Sequence, residues 1–468
     1  MKRTMIVGGA FAIMLGLAIA AYLALKQNVA PATPTSTPIT PSTAGAEAHP
    51  SFLYGRITLA DGATYEGRLR LGGDQEAFWG DYFNGFKQQN PWAAHVPPER
   101  LRKEPHLIKI FGITIARREV QMDLVRPFMA RFGDITRIEM LGRNVRVTLK
   151  SGAMFDTDWY SSNDLDDGVR VWDGSRGVLD LSAQWIRAID LLPAASAGAA
   201  PQRLHATVRT RQGDFTGFIQ WNRNKGIGTD ELDGRTANGN LSLRLDTLRS
   251  IARHSNDSSL VTLLDGREIV LSGTREVGRD NLGIYVDDPR YGRVLISWDA
   301  FERLDFSDFS RGGSGPAYGD FPPGQPLTGS VTTRDGRRLG GRLVYDLDES
   351  ETTETLDAPS QGVNYTVPFG LIAAIVLPDR AERAKVTLHN GEELQLERSG
   401  DLGEGNGGLL IFVEGSQRPE YVLWTDVEQI NFHRPPSMYP PQGGRSTTGA
   451  QVQEVDGKPY KTKGTGAK

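Results

Sequence analysis

The sequence predicts an all-β protein. Short runs in which apolar and polar residues alternate flank a polar-glycine pair, as in GRITLADGATYEGRL at 55–69. This pattern is typical of a β-hairpin whose glycine adopts a positive φ. Close echoes of it lie at 206–219 and 329–343. Three looser copies are each centred on one glycine: Gly152, Gly266 and Gly391. The chain therefore repeats one strand-turn-strand pattern six times.

A second signature follows each hairpin. Three apolar residues stand three positions apart, a spacing that fits one 3-10 turn leading into a closing strand. The six sets are Phe132, Ile135 and Ile138; Ala183, Ile186 and Ile189; Leu245, Leu248 and Ile251; Trp298, Phe301 and Leu304; Phe369, Ile372 and Ile375; Trp424, Val427 and Ile430. Five of the units have nearly the same length and run 147–189, 208–251, 261–304, 331–375 and 386–430. Unrelated hairpins would not keep one length, so the chain contains an internal repeat.

A hairpin, further strands, a 3-10 turn and a closing strand together resemble the small barrels called Src-homology-3-like and Sm-like. The resemblance covers 57–430 at the level of rhythm, and no binding motif of either family carries over residue by residue. It implies six small barrel-like units, and it implies nothing about ligands. A propeller or a β-solenoid is the alternative all-β architecture.

The joins between units group them in pairs. Joins inside a pair are short, whereas those at 190–207 and 305–330 are longer and less apolar. A unit of this size buries too little surface to be stable alone, and pairing supplies a shared core. We therefore predict three two-unit modules: module 1 at 51–191, module 2 at 203–306 and module 3 at 327–433.

Tryptophan opens the apolar triad in the second unit of two modules, at Trp298 and Trp424. Module 1 has Ala183 at that position, with Trp185 two residues further on. A shift of two keeps the same strand face. We expect all three tryptophans to lie in the core.

Residues 1–27 are predicted to be a membrane anchor. A short basic start precedes residues 4–25, which carry no charge and are long enough to cross a ~30 Å hydrocarbon core as a helix. A removed signal peptide is the alternative, although its apolar region is usually only ~7–15 residues long. The basic start favours a single-pass protein of the cell membrane with an extracytoplasmic body, either periplasmic or extracellular.

Two other segments lack apolar periodicity. Residues 28–50 are rich in Pro, Thr and Ala, and we interpret them as an extended linker. Residues 434–468 are equally poor in core residues, and we predict a disordered tail.

Composition excludes several classes of function. Lys and Arg number 53 against 57 Asp and Glu, so the net charge of -4 leaves no basic footprint for nucleic acid. The absence of Cys excludes disulfides, thiol catalysis and thiolate metal sites. The 7 His residues are scattered without metal-ligand spacing. We therefore predict no metal and no cofactor.

The opening unit is longer than the others, and we place its insertion at 72–108. The segment EAFWGDYFNGFK at 76–87 concentrates aromatic and polar residues, and Trp92, His95 and His106 follow it. Aromatic faces stack on sugar rings or apolar side chains while polar neighbours fix orientation, so a binding surface is one interpretation. The alternative is that the aromatic residues cap the core of module 1. The predicted binding residues are Glu76, Phe78, Trp79, Asp81, Tyr82, Phe83, Asn84 and Lys87.

Acidic residues suggest two further hypotheses. Glu76 and Asp81 could form an acid/base pair. The cluster DLDESETTE at 346–354 is interpreted as a solvated hairpin tip, with weak cation binding as the alternative.

The sequence favours a membrane-tethered, extracytoplasmic binding or scaffolding protein of the cell envelope, without catalysis. Its partner would be an envelope polymer or an envelope protein, and self-association is open. One alternative is a hydrolase acting on envelope glycan or peptide, with its site in the module 1 insertion. The other is a structural spacer that assembles with copies of itself.

Overall fold

The computed structural model describes residues 48–97, 106–110, 113–118, 126–162, 165, 167–194, 202–307, 315–379 and 381–436. Within these residues the fold is all-β, as predicted, and no helix reaches seven residues. The predicted anchor at 1–27, nearly all of the linker and the tail from 437 onward lie outside the described residues. Among the described residues, no helix has the length and apolar character needed to cross a membrane.

Thirty-two strands follow one another in the described chain. Numbered β1 to β32, they are Tyr54–Leu59, Thr64–Leu71, Tyr82–Lys87, His106–Ile110, Ile113–Arg118, Arg126–Arg131, Ile135–Leu141, Asn144–Leu149, Met154–Asp158, Val169–Asp173, Gly177–Leu181, Ile186–Leu191, His205–Thr210, Gly213–Gln220, Glu231–Thr236, Gly239–Arg244, Leu248–Ser255, Ser258–Leu263, Glu268–Ser272, Ile284–Asp288, Gly292–Ile296, Phe301–Phe306, Thr328–Thr333, Arg338–Val344, Thr355–Ser360, Val363–Pro368, Ile372–Val376, Arg383–Leu388, Glu393–Glu397, Leu409–Phe412, Glu420–Val422 and Val427–Phe432. Short 3-10 helices lie between some of them, at Pro91–His95, Phe132–Asp134, Ala183–Trp185, Leu245–Thr247, Arg275–Val277, Tyr318–Asp320, Phe369–Leu371, Gly400–Leu402 and Trp424–Asp426.

Both sequence signatures are confirmed as local structure. All six predicted hairpins form antiparallel strand pairs. Five of the six apolar triads begin with a 3-10 helix that leads directly into a strand. The sixth, at 298–300, is a turn of another kind. The turn glycines have the positive φ that this geometry needs, for example +88° at Gly62.

Three large antiparallel sheets and one small hairpin contain all of these strands. The first sheet has the order β11-β10-β2-β1-β12-β7-β8-β9-β3-β6, and the second β16-β15-β19-β18-β17-β22-β13-β14-β20-β21-β26-β25. The third has the order β29-β28-β27-β32-β23-β24-β30-β31, and β4 pairs with β5. The second sheet thus spans module 2 and receives two strands from module 3, through the pairing of β21 with β26.

The two units of a module exchange strands, an arrangement that the sequence pattern does not predict. In module 1 the hairpin of the first unit, β1-β2, pairs through β2 with β10 of the second unit. The hairpin of the second unit, β8-β9, joins through β9 to β3 of the first. The two closing strands, β12 and β7, pair in the middle. Each set of five neighbouring strands is therefore drawn from both units, and module 2 repeats the arrangement.

The apolar core follows this division in part. Modules 2 and 3 share one contiguous set of buried apolar side chains. Module 1 has its own, which also takes in Phe218 of module 2 and two residues of the segment joining modules 2 and 3, Tyr318 and Phe321. Module 1 is therefore packed against the rest of the body.

The insertion in module 1 lies later than predicted. β3 begins eleven residues after β2 ends, at 71 and 82, and module 2 shows the same interval at 220 and 231. The extra chain is 88–125, between β3 and β6, where module 2 has only a short turn between Thr236 and Gly239. Placing the insertion at 72–108 was therefore wrong, because the aromatic segment belongs to the shared part of the unit.

Candidate functional site

In each module one carboxylate holds the loop that precedes β3, β15 or β25. In module 1 the Asp81 carboxylate accepts the backbone N–H groups of Glu76 and Ala77, both at 2.8 Å. Asp230 and Glu354 hold the corresponding loops in modules 2 and 3 in the same way. The role is repeated three times in the fold, so Asp81 is accounted for by the loop it closes.

The predicted aromatic surface is buried. Phe78, Trp79, Tyr82 and Phe83 are all almost fully shielded from solvent. The ring of Phe78 lies 4.8 Å from that of Tyr318, and the ring of Trp79 lies 6.1 Å from that of Phe321. Their faces contact other parts of the body, which agrees with the core-cap interpretation. As binding residues they stay a prediction that burial alone does not test.

Glu76 is enclosed by cations. Its carboxylate accepts from the guanidinium groups of Arg68 at 2.6 Å and Arg70 at 2.9 Å. The cavity beside Glu76 and Asp81 has a volume of about 50 Å³. That space accommodates about one water molecule, whereas pockets for small ligands measure roughly 300–1,000 Å³. The proposed acid/base pair therefore has no room for a glycan or peptide substrate.

Module 1 meets module 2 next to Asp81. The side-chain amide of Gln220 donates to the Asp81 carboxylate. Burial raises the pKa of Asp81, and the positive charge of Arg203 opposes that rise. The guanidinium of Arg293 lies 4.3 Å from the centre of the Tyr82 ring. Polar and aromatic groups of the predicted site are thus engaged by module 2.

Gly80 permits a close approach between these modules. Its φ is +95°, and a Cβ there would lie 2.5 Å from the carboxylate of Asp287 and 2.7 Å from the guanidinium of Arg203. No L side chain fits this space without moving those buried groups. The glycine is therefore required both by its backbone conformation and by the contact.

Lys87 joins module 1 to module 3. Its ammonium lies 2.9 Å from the Asp348 carboxylate and 2.8 Å from that of Glu354, and all three side chains are buried. Burial alone would lower the pKa of Lys87, but Glu354 and Asp348 more than offset it and hold the pKa above its usual value. The interpretation of 346–354 as a solvated tip is wrong, because Lys87 draws these carboxylates into the junction.

The insertion adds to the same contact. The rings of Trp92 and His95 lie 6.0 and 5.8 Å from that of Phe412 in module 3. The Asn90 side chain donates to the backbone carbonyl oxygen of Leu347 at 2.9 Å. His106 lies in β4, where only the backbone is described.

The eight predicted site residues therefore come together at one place, which we call the junction: the contact of residues 76–95 with modules 2 and 3. Seven of them are buried, and Asn84 is half-buried. Within the described part of the chain, no group of three or more His, Asp or Glu residues is arranged to hold a metal ion.

A second feature of module 1 was missed by the sequence analysis. Beside the turn between β7 and β8 lies an open groove of about 700 Å³, walled by Trp159 and Tyr160 and floored by Ala183 and Ile186. Tyr160 is 83% exposed and Trp185 62% exposed. Trp298 and Trp424 are buried as predicted, but the placement of Trp185 in the core is wrong.

No protein-family model matches this chain, and no curated protein or solved structure matches it either.

Proposed function

We propose that this chain is a membrane-tethered, extracytoplasmic binding or scaffolding protein of the cell envelope, and that it performs no catalysis. The observation that carries the proposal is the junction. Its lysine pairs with two carboxylates of module 3, the Arg293 guanidinium of module 2 lies over the Tyr82 ring, and the ring of Phe78 contacts that of Tyr318. Groups that a catalyst would present to a substrate are here engaged in holding modules together.

The proposed architecture suits such a role. It consists of three modules, each made of two interlocked barrel-like units, carried on an anchor at 1–27 and a linker at 28–50. Module 2 continues into module 3 through the pairing of β21 with β26, and module 1 packs against both. Modules joined in this way would present fixed surfaces at a distance from the membrane. An envelope polymer or another envelope protein is the proposed partner.

Fractionation tests the location. The full chain, carrying a C-terminal tag and expressed in a bacterium, should sediment with the membrane, and added protease should digest the body in intact spheroplasts. A chain that begins at residue 28 is the matched control and should be absent from the membrane fraction. A body protected from protease until the membrane is lysed would overturn the proposed location.

Light scattering on the detergent-solubilised chain tests whether the protein is instead a spacer that assembles with copies of itself. A mass independent of concentration is expected for a scaffold that binds other molecules. A mass that rises with concentration would favour the self-assembling spacer instead.

A further inference from the structure

The groove of module 1 lies where modules 2 and 3 place a tryptophan side chain. Modules 2 and 3 have an indole where module 1 has Ala183, because Trp298 and Trp424 open the corresponding apolar triads. Both indoles are buried, with 4% and 2% of their surface exposed. Trp298 donates through Nε1 to the backbone oxygen of Asn256 at 3.1 Å. By strand register Asn256 corresponds to Gly142, which lines the groove of module 1.

In modules 2 and 3 an arginine side chain is bound to the backbone at or next to this tryptophan. The guanidinium of Arg253 donates to the backbone oxygens of Trp298 and Asp299, at 3.3 and 3.1 Å. In module 3 Arg334 donates to the backbone oxygens of Thr425 and Leu377, at 3.0 and 3.1 Å. The corresponding residues of module 1 are much less polar: Met140 in place of Arg253 and Ala60 in place of Arg334. Module 1 therefore lacks both the indole and the covering arginine.

Positive charge surrounds the opening. Arg143 and Arg187 line the groove and are exposed, and neither forms an ion pair with a described residue. No carboxylate lines it. The side chains of Trp159 and Tyr160 add aromatic walls above a floor of aliphatic carbon. The groove thus combines apolar carbon within and two cations at the rim with the neutral polar side chains of Ser182 and Gln184.

We propose that this groove binds an aromatic side chain carried by an acidic peptide segment of a partner protein. The aromatic ring takes the place that an indole fills from inside the chain in modules 2 and 3. Carboxylates beside it pair with Arg143 and Arg187. The volume of about 700 Å³ falls in the usual range for ligand pockets. This inference rests on the proposed binding role and gives it a site and a class of partner.

Two other occupants fit less well. The chain's own tail after residue 436 has tyrosines at 439 and 460, but it carries five basic residues against two acidic ones, the wrong sign for a cationic rim. A sugar polymer would find hydrogen-bonding side chains at Ser182 and Gln184, but Met140, Ala183 and Ile186 supply none from their side chains. An aromatic, acidic peptide satisfies both the floor and the rim.

The test is a titration of the full chain in detergent with a fluorescein-labelled heptapeptide whose central tryptophan is flanked by glutamates, followed by fluorescence anisotropy. Replacing the tryptophan of the peptide with alanine should weaken binding about tenfold or more, as expected for a buried aromatic anchor. Replacing its glutamates with lysines should abolish binding. Raising the salt concentration should weaken the binding of the glutamate peptide, because the contacts at the rim are exposed and salt screens them.

Substitutions in the chain locate the site. Ala183→Trp copies the other modules and should reduce affinity about tenfold. Tyr160→Ala should also reduce the affinity. Because Tyr160 is 83% exposed, this variant is expected to fold, and it keeps the test informative if Ala183→Trp fails to fold. Arg143→Ala combined with Arg187→Ala should weaken binding and reduce its salt dependence. Arg211→Ala, on the corresponding surface of module 2, is the matched control and should bind normally.

Several results would overturn the proposal. One is equal binding of the tryptophan and alanine peptides. Another is full affinity for the tryptophan peptide in both Ala183→Trp and Tyr160→Ala. A third is an acidic oligosaccharide that displaces the labelled peptide at concentrations as low as those at which the unlabelled peptide does. A dimer that Ala183→Trp dissolves would assign the groove to a second copy instead. Failure of this titration leaves the fractionation result intact, so the two proposals fail separately.

Discussion

Module 1 has two regions that contain aromatic and charged residues, and one is buried while the other is exposed. At the junction, Trp79 and Tyr82 are buried, and Lys87 pairs with carboxylates of module 3. At the groove, Tyr160 is exposed, and Arg187 has no ionic partner among the described residues. The residue types are similar in the two regions. What separates them is whether another part of the chain supplies the complementary surface.

The largest expected effect is at the junction. Lys87→Met should lower the free energy of unfolding by about 3–5 kcal/mol, because it leaves the buried carboxylates of Asp348 and Glu354 without their cation. Lys385→Met removes one partner of an exposed pair with Glu393 and should change stability by less than about 1 kcal/mol. Urea denaturation of the two variants gives the comparison. Equal losses would show that the junction pair contributes no more than a surface pair.

The close approach at Gly80 should give the next largest effect. Gly80→Ala should cost about 3 kcal/mol, because it adds backbone strain and forces a methyl group against Asp287 and Arg203. Gly62 has a similar φ of +88° with nothing within 4 Å of its Cβ position. Gly62→Ala should therefore show the strain alone, about 1 kcal/mol. Thermal unfolding distinguishes the two, and similar losses would refute crowding at Gly80.

A smaller effect should depend on pH. Burial raises the pKa of Asp346 to about 6, although Arg126 opposes the rise. The folded chain then holds a proton that the unfolded chain has released, so this group's contribution to stability is lost as the pH rises through 6. Asp346→Asn should reduce the fall in stability between pH 5 and pH 7 by about 1–2 kcal/mol.

Denaturation at the two pH values measures the Asp346 effect. Asp265→Asn, at an exposed turn where the pKa of the carboxyl is lowered, should leave the profile in this range unchanged. An unaltered profile in Asp346→Asn would mean that neighbouring carboxylates bind the proton instead.

The exposed Trp185, which lies outside the junction, should show the smallest effect on folding. Trp185→Ala should change the unfolding free energy by less than about 0.5 kcal/mol, since 62% of the side chain is already exposed. Trp79→Ala, the matched change at the junction, should cost about 3–5 kcal/mol. Comparable melting temperatures for the two variants would erase the contrast between the regions.

Much of the fold could be predicted from local pattern. Period-two alternation around glycine identified all six hairpins, and the apolar triads identified the turns before the closing strands. Strand exchange could not be predicted in this way, because the alternation in β2 is the same whether β3 or β10 lies beside it. The position of the insertion could have been found by aligning the loops that end at Asp81, Asp230 and Glu354.

The candidate site was harder to predict, because its partners are far away in sequence. Lys87 and Asp348 are 261 residues apart, and nothing near Lys87 indicates a buried partner. The density of aromatic residues at 76–87 drew attention to a segment that the structure places in the junction. It could not show which faces another module covers. The groove had a usable signal, since Ala183 breaks a pattern that Trp298 and Trp424 follow.

The exchange of strands also has a consequence for how the chain matures. β1 pairs with β12, so the first strand of module 1 must wait for its last, and the pairs β13-β22 and β23-β32 impose the same delay on modules 2 and 3. Such distant pairings slow folding. While the polypeptide emerges, each module therefore exposes an unpaired strand edge until its final segment arrives. Each module of this protein is therefore open to wrong strand pairing during biosynthesis, until its own closing strand has been made.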